Sequence, residues 1–113
     1  MNDIIIKSKN IPICKVLIIA EDDGMGVIDG QFIPLDGYKN IRQLIKKYTE
    51  LVSELPIVKA DKDRNLSKLR EEIKELCLLA YNTKNEKLNF SHIDLRDYSD
   101  MLGSEGFGVI LYR

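Results

Sequence analysis

The sequence has no tryptophan, one histidine and two cysteines in 113 residues. The cysteines, Cys14 and Cys77, do not form a CxxC pair, and each lies in an apolar run. We therefore interpret them as buried, reduced thiols that act as small hydrophobic side chains. With so few of the usual nitrogen and sulfur ligands, we predict no metal site and no cofactor.

Long hydrophobic runs and a charge of one sign are also missing. The longest apolar run, residues 16–20, is far shorter than the roughly 20 residues that span a bilayer. The N-terminus has none of the features of a signal peptide. The 17 basic and 18 acidic residues nearly cancel, which is not the charge pattern of a nucleic-acid-binding domain. We expect one cytoplasmic domain over residues 1–113, without nucleic-acid or membrane partners.

The N-terminal part of the chain has β-strand patterns. Residues 4–6 and 14–20 are rich in β-branched side chains, with a break at residues 10–12. The continuous apolar run at 15–19 predicts a central strand covered on both faces. Asp-Gly dipeptides, which favour hairpin turns, begin at Asp23, Asp29 and Asp36, and Asp29-Gly30 has the best flanking strands. An antiparallel meander follows from this pattern.

The middle of the chain has helical periodicity. Apolar residues recur every three or four positions over residues 41–55, with Asn40 as a candidate N-cap and Pro56 just beyond the end. A second helix is expected over residues 66–81, where Leu78 and Leu79 widen the apolar surface. Since only a short polar link separates them, the two helices should pack antiparallel.

A short third helix is expected over residues 92–102, started by Ser91 with Asp94, and a final strand over residues 107–112. The predicted fold class is α+β. An antiparallel sheet, made of the N-terminal meander and the C-terminal strand, packs against a central antiparallel helix pair.

Two segments have the composition of a ligand site. Gly24-Met25-Gly26 resembles a phosphate-binding loop, but no helix pattern follows it, so turn formation explains the glycines better. Glu21, Asp22 and Asp23 could hold Mg²⁺ or Ca²⁺, but they lack the spacing of a calcium loop. We expect an exposed acidic turn there.

No catalytic residue is predicted. His92 stands beside Ser91 and Asp94, but capping of the third helix accounts for that spacing better than a triad does. Cys77 lies near the apolar stripe of the second helix, where a thiol is normally inert.

Candidate interaction residues are apolar. Phe107, between Gly106 and Gly108, could be an exposed aromatic anchor of the kind that dominates binding energy in interfaces. Leu78, Leu79 and Tyr81 give the second helix more apolar surface than one neighbouring helix covers. That surplus predicts contact with another copy of the chain.

We therefore expect a non-enzymatic binding protein that self-associates into a homo-oligomer. The high content of lysine, isoleucine and asparagine resembles that of proteins from AT-rich bacterial, phage or mobile-element genomes, and it leaves a second interpretation open. In it, the chain is an inhibitor or decoy that binds a host protein or a small signalling molecule. A third interpretation is a small enzyme that uses the carboxylates of Glu21, Asp22, Asp23 or Asp94, with or without a metal ion.

Overall fold

The structure is a computed structural model that describes residues 3–22, 24–53 and 60–113. It contains seven strands: β1 (Ile4–Ser8), β2 (Ile11–Asp22), β3 (Val27–Pro34), β4 (Leu78–Tyr81), β5 (Lys87–Leu88), β6 (His92–Asp97) and β7 (Phe107–Tyr112). Its α-helices are α1 (Arg42–Ser53), α2 (Ala60–Glu75) and α3 (Ser99–Leu102), and 3-10 helices occur at Asp36–Asn40 and Gly103–Gly106.

The strands form one antiparallel sheet in the order β5-β4-β1-β2-β3-β7-β6. Helix α1 packs against both α2 and β6. This arrangement confirms the predicted fold class, in which a meander and a C-terminal strand pack against a central helix pair. The final strand was also predicted correctly, since β7 covers the expected residues 107–112.

One face of the sheet carries the core. Its strands alternate buried and less buried residues, as a sheet covered on one side requires. The buried side chains come from β1, β2, β3, β4, β6, β7, the first 3-10 helix and α1, and include Ile6, Val16, Phe32, Ile45, Leu95, Val109 and Leu111. We call this the inner face of the sheet.

The first two hairpins use different turns. Ser8 pairs with Ile11, so Lys9 and Asn10 form a two-residue turn, and both have positive φ (50° and 72°). This combination matches the twist of the flanking strands. The β2–β3 connection contains the Gly24-Met25-Gly26 segment, where the Asp22 carboxylate accepts a hydrogen bond from the Met25 N–H at 3.1 Å.

The hairpin turn predicted at Asp29-Gly30 is wrong, because both residues lie in the middle of β3. Gly30 is opposite Ile18, next to a bulge between Ile18 and Ala20. A Cβ atom at Gly30 would lie 2.5 Å from the carbonyl oxygen of Leu17. The glycine therefore permits close approach of two strands, a function of glycine within strands that is distinct from turn formation.

Helix α1 begins at Arg42, two residues after the expected N-cap, because Asn40 belongs to the preceding 3-10 helix. The predicted end of this helix near Leu55 and Pro56 lies outside the described residues.

The second helix was predicted six residues too far along the chain, since α2 spans Ala60–Glu75 and has the same length of 16 residues as the predicted 66–81. Helix α2 ends at Glu75, and residues 78–81 form β4, which pairs with β1 from Ser8↔Leu78 to Ile5↔Tyr81. Cys77 separates the two elements with a φ of 51°, a left-handed conformation that ends a helix. A short apolar run fits a helix or a strand equally well, and here pairing with β1 decides between them.

The predicted third helix is mostly wrong. Residues 92–97 form β6, which pairs with β7 from His92↔Tyr112 to Asp97↔Phe107, and only Ser99–Leu102 are α-helical. The local capping pattern of Ser91 and Asp94 is overridden by this long-range pairing, as weak helix propensity often is.

Strand β2 occupies the middle of the sheet, as its apolar sequence predicted, but it is not covered on both faces. Leu17 is 42% exposed and Ile19 is 64% exposed. These side chains lie on the face opposite the core.

Candidate functional site

The outer face of the sheet carries a connected set of apolar side chains. Its residues are Ile5, Leu17, Ile19, Ile33, Leu79 and Tyr81, which we call the outer apolar band. Strand pairing aligns Tyr81 with Ile5, Ile5 with Lys15, and Lys15 with Ile33. One row of side chains therefore crosses four neighbouring strands, with Leu17 and Ile19 farther along β2.

The outer apolar band contains an ion pair near its centre. Lys15 makes an ion pair with Asp3, with 3.3 Å between Nζ and the carboxylate oxygen. Directly opposed or diagonal side chains on one sheet face are in contact distance of each other. The band is thus an apolar surface that also contains two lysines: Lys15, which pairs with Asp3, and Lys7, which lies opposite Leu79 with its Nζ 4.6 Å from the centre of the Tyr81 ring.

Two of the predicted interaction residues belong to this band. Leu79 and Tyr81 alternate with Leu78 and Ala80 along β4, so they lie on the outer face while Leu78 packs against the core. The predicted surplus of apolar surface is therefore present near these residues, but it belongs to a strand and not to a helix.

The expectation that Phe107 is an exposed anchor is wrong. Its ring is only partly exposed and lies 5.1 Å from the Phe32 ring centre and 6.0 Å from that of Tyr38. These distances are typical of aromatic packing in a core. The neighbouring Gly106 allows its own backbone to approach Tyr98, where a Cβ atom would lie 2.4 Å from the carbonyl carbon.

A cavity of about 490 Å³ opens between α1, α2 and β6. Its buried wall includes Ile45, Ile93 and Leu95, and its more exposed residues include Arg70, Lys74 and His92. The volume is within the range of about 300–1,000 Å³ that is usual for small-molecule sites. Neither the helix pattern nor the strand pattern of the sequence indicated this cavity, because it depends on where β6 lies against the two helices.

Asp94 lines the cavity but does not face it as a free carboxylate. Arg96 donates two hydrogen bonds to it, from Nε at 3.1 Å and from Nη2 at 3.0 Å. The guanidinium also lies 5.2 Å from the centre of the Tyr48 ring. Burial lowers the pKa of Arg96, but the hydrogen bonds and charge of Asp94 outweigh that effect and raise it. Arg96 therefore stays protonated.

The structure does not assemble a triad around His92. The Ser91 hydroxyl donates to the backbone carbonyls of Tyr112 and Arg113 at 3.1 and 3.3 Å, and the Asp94 carboxylate is held by Arg96. The His92 ring packs against Tyr112, with 5.7 Å between ring centres. The three residues that such a triad would need, Ser91, His92 and Asp94, are thus each in contact with other groups.

The acidic turn is exposed where the structure describes it. Glu21 and Asp22 are exposed, and Asp23 lies outside the described residues. Asp22 caps the turn, while Glu21 lines a different depression from the cavity that contains Asp94. Within the described ranges, no group of three or more histidine, cysteine or acidic residues is placed to hold a metal ion.

The two thiols have opposite environments. Cys14 is fully buried, and burial raises its pKa to about 12 despite a hydrogen bond from the Ile6 backbone. Cys77 is exposed at the edge of the cavity, so the expectation of two buried thiols is correct only for Cys14. In the described part of the chain both are free.

A buried polar network was not predicted from the sequence. The Tyr38 hydroxyl donates to the Asp97 carboxylate at 2.6 Å, and the other carboxylate oxygen accepts the Ser99 N–H at 2.9 Å. The Asp97 N–H donates to the Thr49 hydroxyl at 2.9 Å, which in turn donates to the Ile45 carbonyl at 2.8 Å. The network joins the first 3-10 helix, α1, β6 and α3, so it holds the helical layer on the sheet.

Comparison of the chain with protein-family profiles, with curated proteins and with solved structures gives no significant match. None of the described helices is long and apolar enough to cross a membrane.

Proposed function

We propose that the chain is a non-enzymatic binding protein that self-associates through the outer apolar band. The observation that carries this proposal is the row of side chains from Tyr81 to Ile33, which crosses four strands on the face away from the helices. Large exposed apolar patches are rare on soluble monomers and, when they are bordered by polar residues, are typical of protein interfaces.

A second copy of the chain is the natural partner for a surface of this shape. Two sheets that pack face to face form a sandwich, with their inner side chains interdigitated. In a twofold dimer the same patch is used by both copies, so it must be compatible with itself. The outer apolar band meets that requirement, because Lys15 pairs with Asp3, while Lys7 lies over the Tyr81 ring and donates a hydrogen bond to Asn85.

Sedimentation velocity from micromolar to millimolar concentration tests the proposal. We expect a concentration-dependent dimer of the wild-type chain and a monomer of a triple variant with Leu17→Thr, Ile19→Thr and Ile33→Thr. Threonine keeps a high strand propensity while it makes the face polar, so the fold should be retained. Circular dichroism and thermal unfolding of the variant check this.

The matched control is Met101→Thr, which removes an even more exposed apolar side chain from α3, outside the band. Its association should equal that of the wild type. A wild-type chain that stays monomeric throughout, or a triple variant that still dimerises, contradicts the proposal.

The same band also suits the alternative in which the chain is an inhibitor or decoy that binds a host protein. The two interpretations differ in the partner and not in the surface. For the carboxylate enzyme, the structure offers less support, because Asp94 is paired with Arg96 and lies in a different cavity from Glu21.

A further inference from the structure

The cavity between α1, α2 and β6 combines an apolar wall with a positively charged rim. The wall is formed by buried or partly buried side chains of both helices and the sheet: Ile45, Ile73, Leu78, Phe90, Ile93 and Leu95. Such a wall favours an apolar ligand group, because its burial removes hydrocarbon surface from water on both sides.

The rim charge comes from α2. Arg70 and Lys74 are four residues apart, so they lie on the same side of the helix, and both line the cavity. Their side chains are exposed, and neither forms an ion pair within the part of the chain that the structure describes. Two cationic donors are therefore available to one ligand group.

The acidic residue in the cavity does not cancel this charge. Asp94 is neutralised by the two hydrogen bonds from Arg96, which leaves Arg70 and Lys74 as the uncompensated charges of the lining. Burial lowers the pKa of Arg96, but Asp94 raises it further, so Arg96 keeps its proton and remains a donor to Asp94. A cationic ligand group is disfavoured at the rim and an anionic one is favoured.

We infer that this cavity binds a small amphipathic anion, with a carboxylate head held by Arg70 and Lys74 and an apolar body against Ile45, Ile93 and Leu95. The guanidinium of Arg70 matches a carboxylate through two parallel hydrogen bonds, and Lys74 adds a point charge. This site is separate from the outer apolar band, and its ligand is independent of whether the chain self-associates.

Three probe molecules test separately how the charged head and the apolar body of the ligand contribute to binding. Decanoate carries both, decyltrimethylammonium has the same chain with the opposite charge, and acetate has the head alone. We expect decanoate to bind in calorimetric titrations and to shift the amide NMR signals of residues 91–95. The other two should bind much more weakly, because each lacks one of the two matching features.

A double variant, Arg70→Gln with Lys74→Gln, should weaken decanoate binding about tenfold, as expected when two exposed ion pairs are lost. The matched control is Lys68→Gln, since Lys68 is an exposed lysine of the same helix that does not line the cavity. It should bind decanoate as the wild type does.

Several results overturn the inference. They are equal binding of the cationic probe, absence of decanoate binding, equal weakening by Lys68→Gln, and signal shifts confined to residues 15–19 on the outer band. The last result would mean that decanoate binds to the surface proposed for self-association. Failure of dimerisation leaves the cavity test unaffected, so the two proposals fail separately.

Discussion

The hydroxyl of Tyr38 donates a hydrogen bond of 2.6 Å to the carboxylate of Asp97, and both side chains are buried. Tyr38 lies just before α1, and Asp97 is the last residue of β6, 59 positions later. A hydrogen bond to a buried ionised group is stronger than one between neutral groups. This contact therefore holds the 3-10 helix that precedes α1 against β6, an edge strand of the sheet.

Tyr38→Phe removes the hydroxyl and leaves the ring. We expect a loss of about 1–3 kcal/mol in the free energy of unfolding, because a buried carboxylate oxygen loses its partner. Urea denaturation measures this change. Tyr112→Phe, on the outer side of β7, is the comparison variant and should have a smaller effect. An equal loss in both variants would show that the Tyr38 hydroxyl has no special importance.

Asp97→Asn should produce a stability difference that depends on pH. Burial alone would raise the pKa of Asp97, but hydrogen bonds from Ser99 and Tyr38, together with the charge of Lys46, lower it below its ordinary value. Stabilisation by a carboxylate with a lowered pKa is complete above the pKa of the unfolded chain, about 3.9. It is lost as the pH falls through the folded-state pKa.

The measurement is urea denaturation of wild type and Asp97→Asn from pH 7 to pH 3. We expect the wild type to be more stable at pH 7 and the difference to shrink below about pH 4. Asp100→Asn is the control, because that carboxylate is mostly exposed and makes an exposed ion pair with Lys46. A constant difference at all pH values would mean that the charge of Asp97 does not contribute.

The two cysteines should react at very different rates with Ellman's reagent. Cys77 is exposed, whereas Cys14 is buried and has a pKa of about 12, so almost none of it is thiolate at neutral pH. We expect one thiol to react in the folded protein and the second only after denaturation. In Cys77→Ser the fast phase should disappear. Rapid reaction of both thiols in the folded state would contradict the buried position of Cys14.

Gly30→Ala should destabilise the sheet, since the added methyl would lie 2.5 Å from the Leu17 carbonyl oxygen and force β2 and β3 apart. We expect a loss of about 1–3 kcal/mol, as in other overpacked positions. Gly108→Ala on the adjacent strand is the matched control, because its methyl would meet Arg96 at 3.9 Å, an ordinary contact. Thermal unfolding compares them, and equal stability of the two variants would rule out the close approach at Gly30.

Local pattern predicted some elements well. The one-sided stripe of α1 and the β-branched runs of β1, β2 and β7 carry strong periodicity, and each forms the expected kind of element. The Asp29-Gly30 dipeptide was misleading, because glycine serves both turns and close strand contacts, and only the neighbouring Leu17 distinguishes the two.

The candidate sites were less predictable. Leu79 and Tyr81 were expected on a helix, but pairing with β1 places them on the outer face of the sheet. The cavity and the Tyr38–Asp97 contact join residues that are far apart in the chain. No periodicity within one segment can indicate such contacts.

The amino-acid sequence by itself determined the α+β class, the meander and the central helices, because hydrophobic period and β-branched composition act within a few residues. The tertiary structure decided that residues 78–81 and 92–97 are strands, since hydrogen bonds to β1 and β7 outweigh weak local helix propensity. It also decided which apolar side chains remain exposed. The helices that the structure describes pack on the inner face, and Leu17 and Ile19 are accessible on a strand whose sequence predicted full burial.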